Sequence, residues 1–467
     1  MAIAASFIAA GLAVWAGLYA RRASLPVMVI ATLIVGYVLG HSFWNAHVGP
    51  LPLTLDRLLL LGLATLFAHR VWTGKVKASA VSTVDWAIVL TLVWLSLSAF
   101  FFRIDDTTIS PSSPFWRLVM GFWTPAFLFL VMRQSRFDSA VAKRVLTLLV
   151  LLGSYLAVTA LAESAGLWGV VFPRYIADPE LGLHYGRARG PALNSVSLGI
   201  FLSVCFWAAW TLLPRASRLG QLLLVAAMAL MAFGVLLTYT RSTWIGLAAS
   251  GLVVLAAQLP KRLRVPVLSG IGIAGILAAS VLWQSIVQLE REDSGGVSQH
   301  SVQQRTAFAY VSWKMFSDHP LWGAGFGRFY DQKLPYLSDR SQSFELESLR
   351  DLHHHNTFLS LLTETGMVGL AAYVAVLGGM LACSWWLSQA TNAAPHERSL
   401  GVLGVATVMV YLPSAVFHDL THLHADQWLL FIVAGMAVGC ERRLATKTAA
   451  TVAAEPIYSP TLQHTTA

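Results

Sequence analysis

Three histidines, His353, His354 and His355, precede Asn356 where a long polar stretch gives way to an apolar run. Imidazole exchanges a proton near neutral pH without special tuning. A histidine at such a boundary can therefore act as a base on a hydroxyl delivered from the aqueous side. The same residues also read as a polar helix start with Asn356 at the cap. Arg241 lies in TYTRSTWIG, between two apolar runs with almost no gap. An arginine at bilayer depth costs roughly 2.5–3.5 kcal/mol on insertion scales, although at a helix end its head can reach water. The chemical alternative is an anion clamp, because guanidinium stays charged and grips phosphate oxygens in pairs. Arg305 opens an amphipathic stretch, and Arg187 and Arg189 sit in HYGRARGPALN just ahead of another apolar run. Each of these, taken singly, reads as a surface residue.

Other chemistries find less support. His418, His422 and His424 in FHDLTHLHAD have a spacing that zinc could use, but no cysteine lies near and only Asp419 and Asp426 accompany them. A polar loop is the better reading, and no metal site is assigned. GAGFG at 323–327 has no preceding strand and no βαβ unit around it, so it reads as a flexible turn and not a dinucleotide site. Gly74-Lys75 lacks the upstream glycine of a phosphate loop. No Asp-x-Asp occurs, which argues against a metal-dependent nucleotide-sugar transferase. Cys205, Cys383 and Cys440 are far apart and lie in or beside apolar runs, so neither a disulfide framework nor a CxxC pair is indicated.

The elements that must position these residues follow from composition. Of the 467 residues 56% are hydrophobic and only 12% charged, against about 25% charged in soluble domains. Apolar runs recur at 4–20, 25–42, 54–71, 85–102, 115–132, 145–162, 193–213, 220–239, 242–259, 266–287, 357–386, 400–417 and 427–440. Each is near the ~20 residues that cross a bilayer as a helix, and about twelve are expected to do so. A membrane β-barrel would need alternating segments of ~10 residues, and these are absent. The net charge of +9 could suggest nucleic acid as a partner, but the cations sort otherwise. Arg21 and Arg22, Lys75 and Lys77, Arg133 to Arg144, Arg215 and Arg218, Lys261 to Arg264, and Arg442 to Lys447 fall on alternate sides of successive runs. That is the positive-inside pattern, so those loops read as cytoplasmic and the basicity as topology. Arg187, Arg189, Arg241 and Arg305 fall on the other side, against the bias, which points to an anionic ligand there.

The expected organisation is an all-α polytopic membrane protein. Residues 1–287 would hold the first ten spans, with a polar insert at 163–192. Residues 288–356 form a second polar insert, 357–440 the last spans, and 441–467 a disordered cytoplasmic tail. Within the large insert, Ala307, Tyr310, Val311 and Met315 recur at helical spacing over Gln303–Asp318. His319-Pro320 should end that helix, since the residue before proline avoids the helical region.

Taken in order, WKMFSDHPLWGAGFGRF (313–329) and HHHNTFLSLLTETGMVGL (353–370) resemble the signature of the O-antigen ligase and polymerase superfamily. TYTRSTWIG (238–246) and GRARGPALN (186–194) are similar to two further landmarks of that family. The resemblance covers about residues 186–370 by motif and the rest by topology. It implies a GT-C-type glycosyltransferase architecture in the bacterial inner membrane, with one large periplasmic helical loop and the active site facing the periplasm. It further implies a donor glycan carried on undecaprenyl diphosphate, a lipid A–core acceptor, and no metal or other cofactor. By the same resemblance His355 is the general base, and Arg241 and Arg305 bind the donor diphosphate. Arg187 and Arg189 are helpers in that binding, and Asn356, Asn194 and His354 are supporting residues. The adjacent His353 and His354 leave the base open by a position or two.

Polymerases of repeat units and protein O-oligosaccharyltransferases share this chemistry and stand as the nearest alternatives. A transporter of lipid-linked oligosaccharide or of anions is the alternative from another class, since span number never determines function. Paired halves and helices interrupted at the midplane would favour it, and the sequence shows neither.

Overall fold

The computed structural model describes residues 24–48, 51–76, 79–101, 114–260, 262–267, 269–270, 273, 297–339, 341 and 345–454. The expected span at 4–20, most of that at 266–287, the start of the large insert and the end of the tail lie outside these residues. Within them, α1 (Leu25–Val38) leads through a two-stranded antiparallel hairpin, β1 (Asn45–Val48) and β2 (Leu51–Thr54), into α2 (Leu55–Trp72). There follow α3 (Thr83–Phe101), α4 (Pro114–Gln134), α5 (Ser139–Ser164), α6 (Ser195–Leu212), α7 (Arg218–Leu237) and α8 (Arg241–Gln258). The second insert supplies α9 (Val297–Asp318), and α10 (Thr357–Gln389), α11 (Pro395–Phe417) and α12 (His424–Ala454) complete the described chain.

Seven of these helices, α3 to α7 with α10 and α11, are long and apolar enough to cross a bilayer. Local chemistry sets their starts. Asn194, Ser217, Asp138 and Asn356 accept N–H bonds from the first turns of α6, α7, α5 and α10, which satisfies donors a helix start leaves open. Tertiary packing then sorts the helices by depth. α6 is apolar on all sides and buried nearly throughout, as a central helix must be. α7 lies at the rim, and Leu219, Leu222, Leu223 and Val225 face outward. Apolar side chains turned outward along a helix suit a hydrocarbon surround.

The second insert builds a small core of its own from Ala307, Phe308, Val311, Met315, Phe329, Leu337, Leu346 and Leu349. α9 stops at Asp318 ahead of His319-Pro320, as expected. The GAGFG segment is not a flexible turn. It docks into a break in α10, where Gly366 takes φ 67° and ψ −170°. Ala324 and Gly325 donate N–H bonds to the carbonyls of Thr363 and Glu364 at 2.8 and 2.9 Å. Met367 N–H in turn reaches the Pro320 carbonyl at 2.9 Å. The backbone groups that the break frees are thus satisfied by the loop, as buried backbone requires. A Cβ on Gly366 would lie 2.2 Å from the Leu321 carbonyl oxygen, so glycine is needed for both its conformation and its size.

Two further differences from the sequence reading concern elements. The hairpin at 45–54 was not expected, because its strands are only four residues each. The tail is not disordered from 441: α12 runs on to Ala454, with Leu444 buried against the bundle. Helix-forming Ala, Leu, Arg and Lys dominate 441–454 and continue the packed helix before the composition changes.

Successive helices run in opposite directions, so their ends gather at two faces. The starts of α2, α4, α6, α8, α10 and α12 share one face with the ends of α1, α3, α5, α7 and α11. His355 lies at this face.

Candidate functional site

The start of α10 is tied to the end of α11 by three side-chain bonds. Asn356 Nδ2 donates to the Val416 carbonyl at 2.7 Å, and Thr357 Oγ1 donates to the His418 carbonyl at 2.9 Å. The Leu420 N–H then donates to Thr357 Oγ1 at 2.9 Å. Residues 353–355 and the turn 418–422 are thereby held side by side, although they are more than sixty positions apart. Lys333 adds a tie from the insert, its ammonium donating to the Leu352 carbonyl just ahead of the histidines.

The three histidines separate into distinct roles. His354 is buried, with Nε2 3.0 Å from Thr363 Oγ1 and its ring centroid 3.7 Å from that of Phe329. Burial pushes its pKa down to about 3, so it is a neutral core residue of the insert. His353 is exposed between Tyr330 and His422, with ring centroids at 5.0 and 5.5 Å. His355 is exposed as well, with the edge of Phe308 5.2 Å away between ring centroids. Phe308 lies on α9 one turn beyond Arg305, whose guanidinium is 5.6 Å from the ring of Phe417 at the end of α11. Partial enclosure first and the Arg305 cation second lower the proton affinity of His355, with Asp419 opposing. The imidazole therefore stands neutral at pH 7, the form a base needs.

Two more imidazoles share this field. Burial, then His355, His184 and Arg305, bring His418 down to about 3. Burial, then Arg187, Arg189 and His355, bring His184 down to about 4. Cations and neutral imidazoles thus cluster within electrostatic reach of His355, a setting that favours an anion. Arg187 belongs to it through His184, and its guanidinium makes no hydrogen bond or ion pair to a described residue. Arg241 is the first residue of α8, which packs along α11 and lies at the same face.

The Arg189 guanidinium is committed to its own loop. It donates to the carbonyls of Leu181, Ile176 and Asp178 at 2.5, 2.9 and 2.6 Å, and Arg189 is 1% exposed. With its donors turned inward it staples the 176–190 loop and cannot grip a diphosphate. Asn194 and Asn356 act as helix caps. Their effect on the site is positional, as is that of His354.

Close to these histidines lies a charge network that the sequence did not single out. Arg117, buried in α4, donates to Glu364 Oε2 and Thr421 Oγ1 at 2.7 Å each and to Ser360 Oγ at 2.8 Å. It also meets Asp419 Oδ2 at 3.4 Å. Asp419 is in turn 3.8 Å from His422 Nε2. Burial alone would raise the Asp419 pKa, but Arg117 and then His422 hold it well below the usual carboxylate range. This network joins α4, α10 and the 419–422 turn, just under His353 and His355. A signal was present: Arg117 and Glu364 are ionisable residues inside apolar runs, which have functional or structural partners by default. The histidines of FHDLTHLHAD do not converge. His418 faces His355, whereas His422, beside Asp419, and His424 line one cavity with Arg57 and Trp116. Among the described residues no three His, Cys or carboxylate side chains are grouped to hold a metal ion.

Residues 226–374, which span α8, α9, the docked glycine loop and the first half of α10, match the family described as O-antigen ligase. This segment is similar to the O-antigen ligase family. It contains Arg241, Arg305, His355 and Glu364, whereas Arg117, His184, Arg187, His418 and Asp419 come from outside it. The chain is also 24% identical over 289 residues to the exopolysaccharide production protein ExoQ of Rhizobium meliloti (strain 1021). That likeness covers 60% of this chain and 65% of the relative's length. Both likenesses are partial: the family match covers residues 226–374, and the chain spans just under two thirds of that relative's length.

Proposed function

We propose that the chain is a GT-C-type glycosyltransferase of the inner membrane, working at its periplasmic face. It transfers a preassembled glycan from undecaprenyl diphosphate to a sugar hydroxyl of lipid A–core. The observation that carries this reading is an accessible His355 near Arg305, whose cation lowers its proton affinity, with His418, Arg187 and Arg241 at the same face. In the reaction His355 takes the proton of the acceptor hydroxyl as its oxygen bonds to the anomeric carbon of the donor. The bond from that carbon to the phosphate oxygen breaks, and its electron pair leaves on undecaprenyl diphosphate. Arg305 and Arg241, assisted by Arg187, offset the charge that grows on the leaving group. A base on the side of the sugar opposite the leaving group predicts inversion at the anomeric carbon, by analogy with inverting glycosidases. A neutral imidazole next to guanidinium suits both halves of this reaction. When the diphosphate charge develops, it also makes protonated His355 easier to accommodate.

A second reading is favoured by the relative's role in exopolysaccharide production: the acceptor is another repeat unit, and the product is a longer chain. Purified protein supplied with undecaprenyl diphosphate-linked oligosaccharide, with and without lipid A–core, tests both. Glycan appearing on lipid A–core supports ligation, and a ladder formed without core supports polymerisation. Absence of both, in preparations that bind the lipid-linked donor, would overturn the glycosyltransferase reading.

A further inference from the structure

At the face opposite His355, the ends of α2, α4 and α12 and the starts of α1, α5 and α11 enclose a cavity of about 1230 Å³. Seven Lys or Arg side chains and two carboxylates line it. Both carboxylates are already engaged in local capping: Asp138 accepts the Val141 N–H at 2.7 Å, and Glu397 accepts the Ala394 N–H at 2.9 Å. Lys75, Arg136 and Arg144 make no ion pair with a described residue. Arg442 meets Glu441 at 3.5 Å, and Arg443 donates to the Arg133 carbonyl and Cys440 Sγ. The positive-inside bias explains why cations occupy these loops. It does not explain why cations from separate segments, between 70 and 447, converge on one void against their mutual repulsion.

We infer that this cavity binds the phosphate headgroup of an anionic phospholipid from the adjoining leaflet. Phosphate is the shared chemistry: its oxygens accept paired bonds from guanidinium, and several arginines can serve one group. Two features assign it to lipid in preference to soluble phosphate. The cavity lies among the ends of membrane helices, at the depth where headgroups are found. Its wall also contains Leu25, Pro26, Val76 and Phe137, which offer apolar contact for the glycerol and upper acyl chain. Its volume exceeds the 300–1,000 Å³ typical of small-molecule pockets, consistent with a headgroup that enters together with part of its tails. Bound lipid would link α12, whose last turns carry Arg442 to Lys447, to the α4–α5 turn carrying Arg136.

The test uses full-length protein in nanodiscs of phosphatidylcholine, with or without a minor fraction of phosphatidylglycerol. After extraction into neutral detergent, retained lipid is counted by native mass spectrometry. Retention of phosphatidylglycerol over phosphatidylcholine by about tenfold is expected for the unaltered protein. Arg136→Ala/Arg144→Ala should bring that preference close to parity. Both side chains are exposed and make no ion pair with a described residue, so the variant should melt at the unchanged temperature in phosphatidylcholine alone. The preference should largely return in Arg136→Lys/Arg144→Lys. Equal retention of the two lipids by the unaltered protein, or an undiminished preference in the alanine variant, overturns the proposal. Displacement of the lipid by millimolar inorganic phosphate would reassign the cavity to a soluble anion and overturn the lipid source.

Discussion

Replacing Arg117 by methionine removes the one cation between two buried carboxylates while keeping most of the side-chain volume. Glu364 is 2% exposed and Asp419 7%, and Arg117 itself is 2% exposed. None of the three can recover water without opening the bundle. Losing one partner of a buried pair costs about 3–5 kcal/mol, because the remaining charge stays desolvated and unpaired. Here one guanidinium serves two carboxylates, at 2.7 and 3.4 Å, so the upper part of that range, about 4–5 kcal/mol, is expected for Arg117→Met. A sharper expectation attaches to the triple variant Arg117→Met/Glu364→Gln/Asp419→Asn. It removes all three charges and leaves similar shapes, and neutral replacement of a whole buried network is often near neutral in stability. The triple variant should therefore regain most of the loss. Chemical denaturation in mixed micelles, followed by tryptophan fluorescence, measures each variant against the parent. A single variant within about 0.5 kcal/mol of the parent, the range of an ordinary surface change, would refute the reasoning. So would a triple variant no more stable than Arg117→Met, since the loss would then come from packing and not from orphaned charge.

Other perturbations address the His355 cluster and its supports. His355→Ala should lower glycan transfer by about 10²–10⁴, the usual contribution of a general base, with the fold intact because the side chain is exposed; an unchanged rate removes His355 from that role. Arg305→Ala removes a cation that disfavours the imidazolium of His355, so the acid limb of the pH–rate profile should move to higher pH, and an unmoved limb would separate the two residues. His354 is held neutral in the fold with its pKa near about 3, below its ordinary value. The unfolded chain therefore binds more protons between those values, and folding stability should fall as pH drops below about 6.5. That pH dependence should flatten in His354→Phe, and an identical slope in the variant would exclude His354 as its source. Gly366→Ala places a methyl group 2.2 Å from the Leu321 carbonyl at a positive φ. It should reduce the yield of folded protein sharply, and normal yield and melting would show that the loop does not depend on the break.

Much of the scaffold was legible because it is local. Apolar runs of membrane length located the seven membrane-length helices to within about six residues at each end, since burial in hydrocarbon demands continuous apolar sequence. Asn356 and Asn194 were visible as residues ahead of apolar runs, and their capping bonds reach only two or three residues along the chain. The motif order also marked His355 and Arg305 as partners in a family pattern. The glycine loop was harder to read. GAGFG carries no local sign that its N–H groups complete a helix broken forty residues later, so flexibility was the natural but mistaken expectation.

By itself the sequence determined the solvent of this protein, the places where the chain turns, and which side of the bundle holds the unusual cations. Those properties depend on composition and on neighbours within one or two helical turns. Only the tertiary structure decided what each charged or titratable group faces. His354 and His355 are adjacent, yet one packs on Phe329 in a closed core and the other opens to solvent beside Arg305. Arg187 and Arg189 differ by two positions, yet only Arg189 is enclosed by carbonyls of its own loop. Arg117, Glu364 and Asp419 meet from three parts of the chain. Burial and pairing set the charge state of such groups, and both arise from contacts between distant segments that no local pattern encodes.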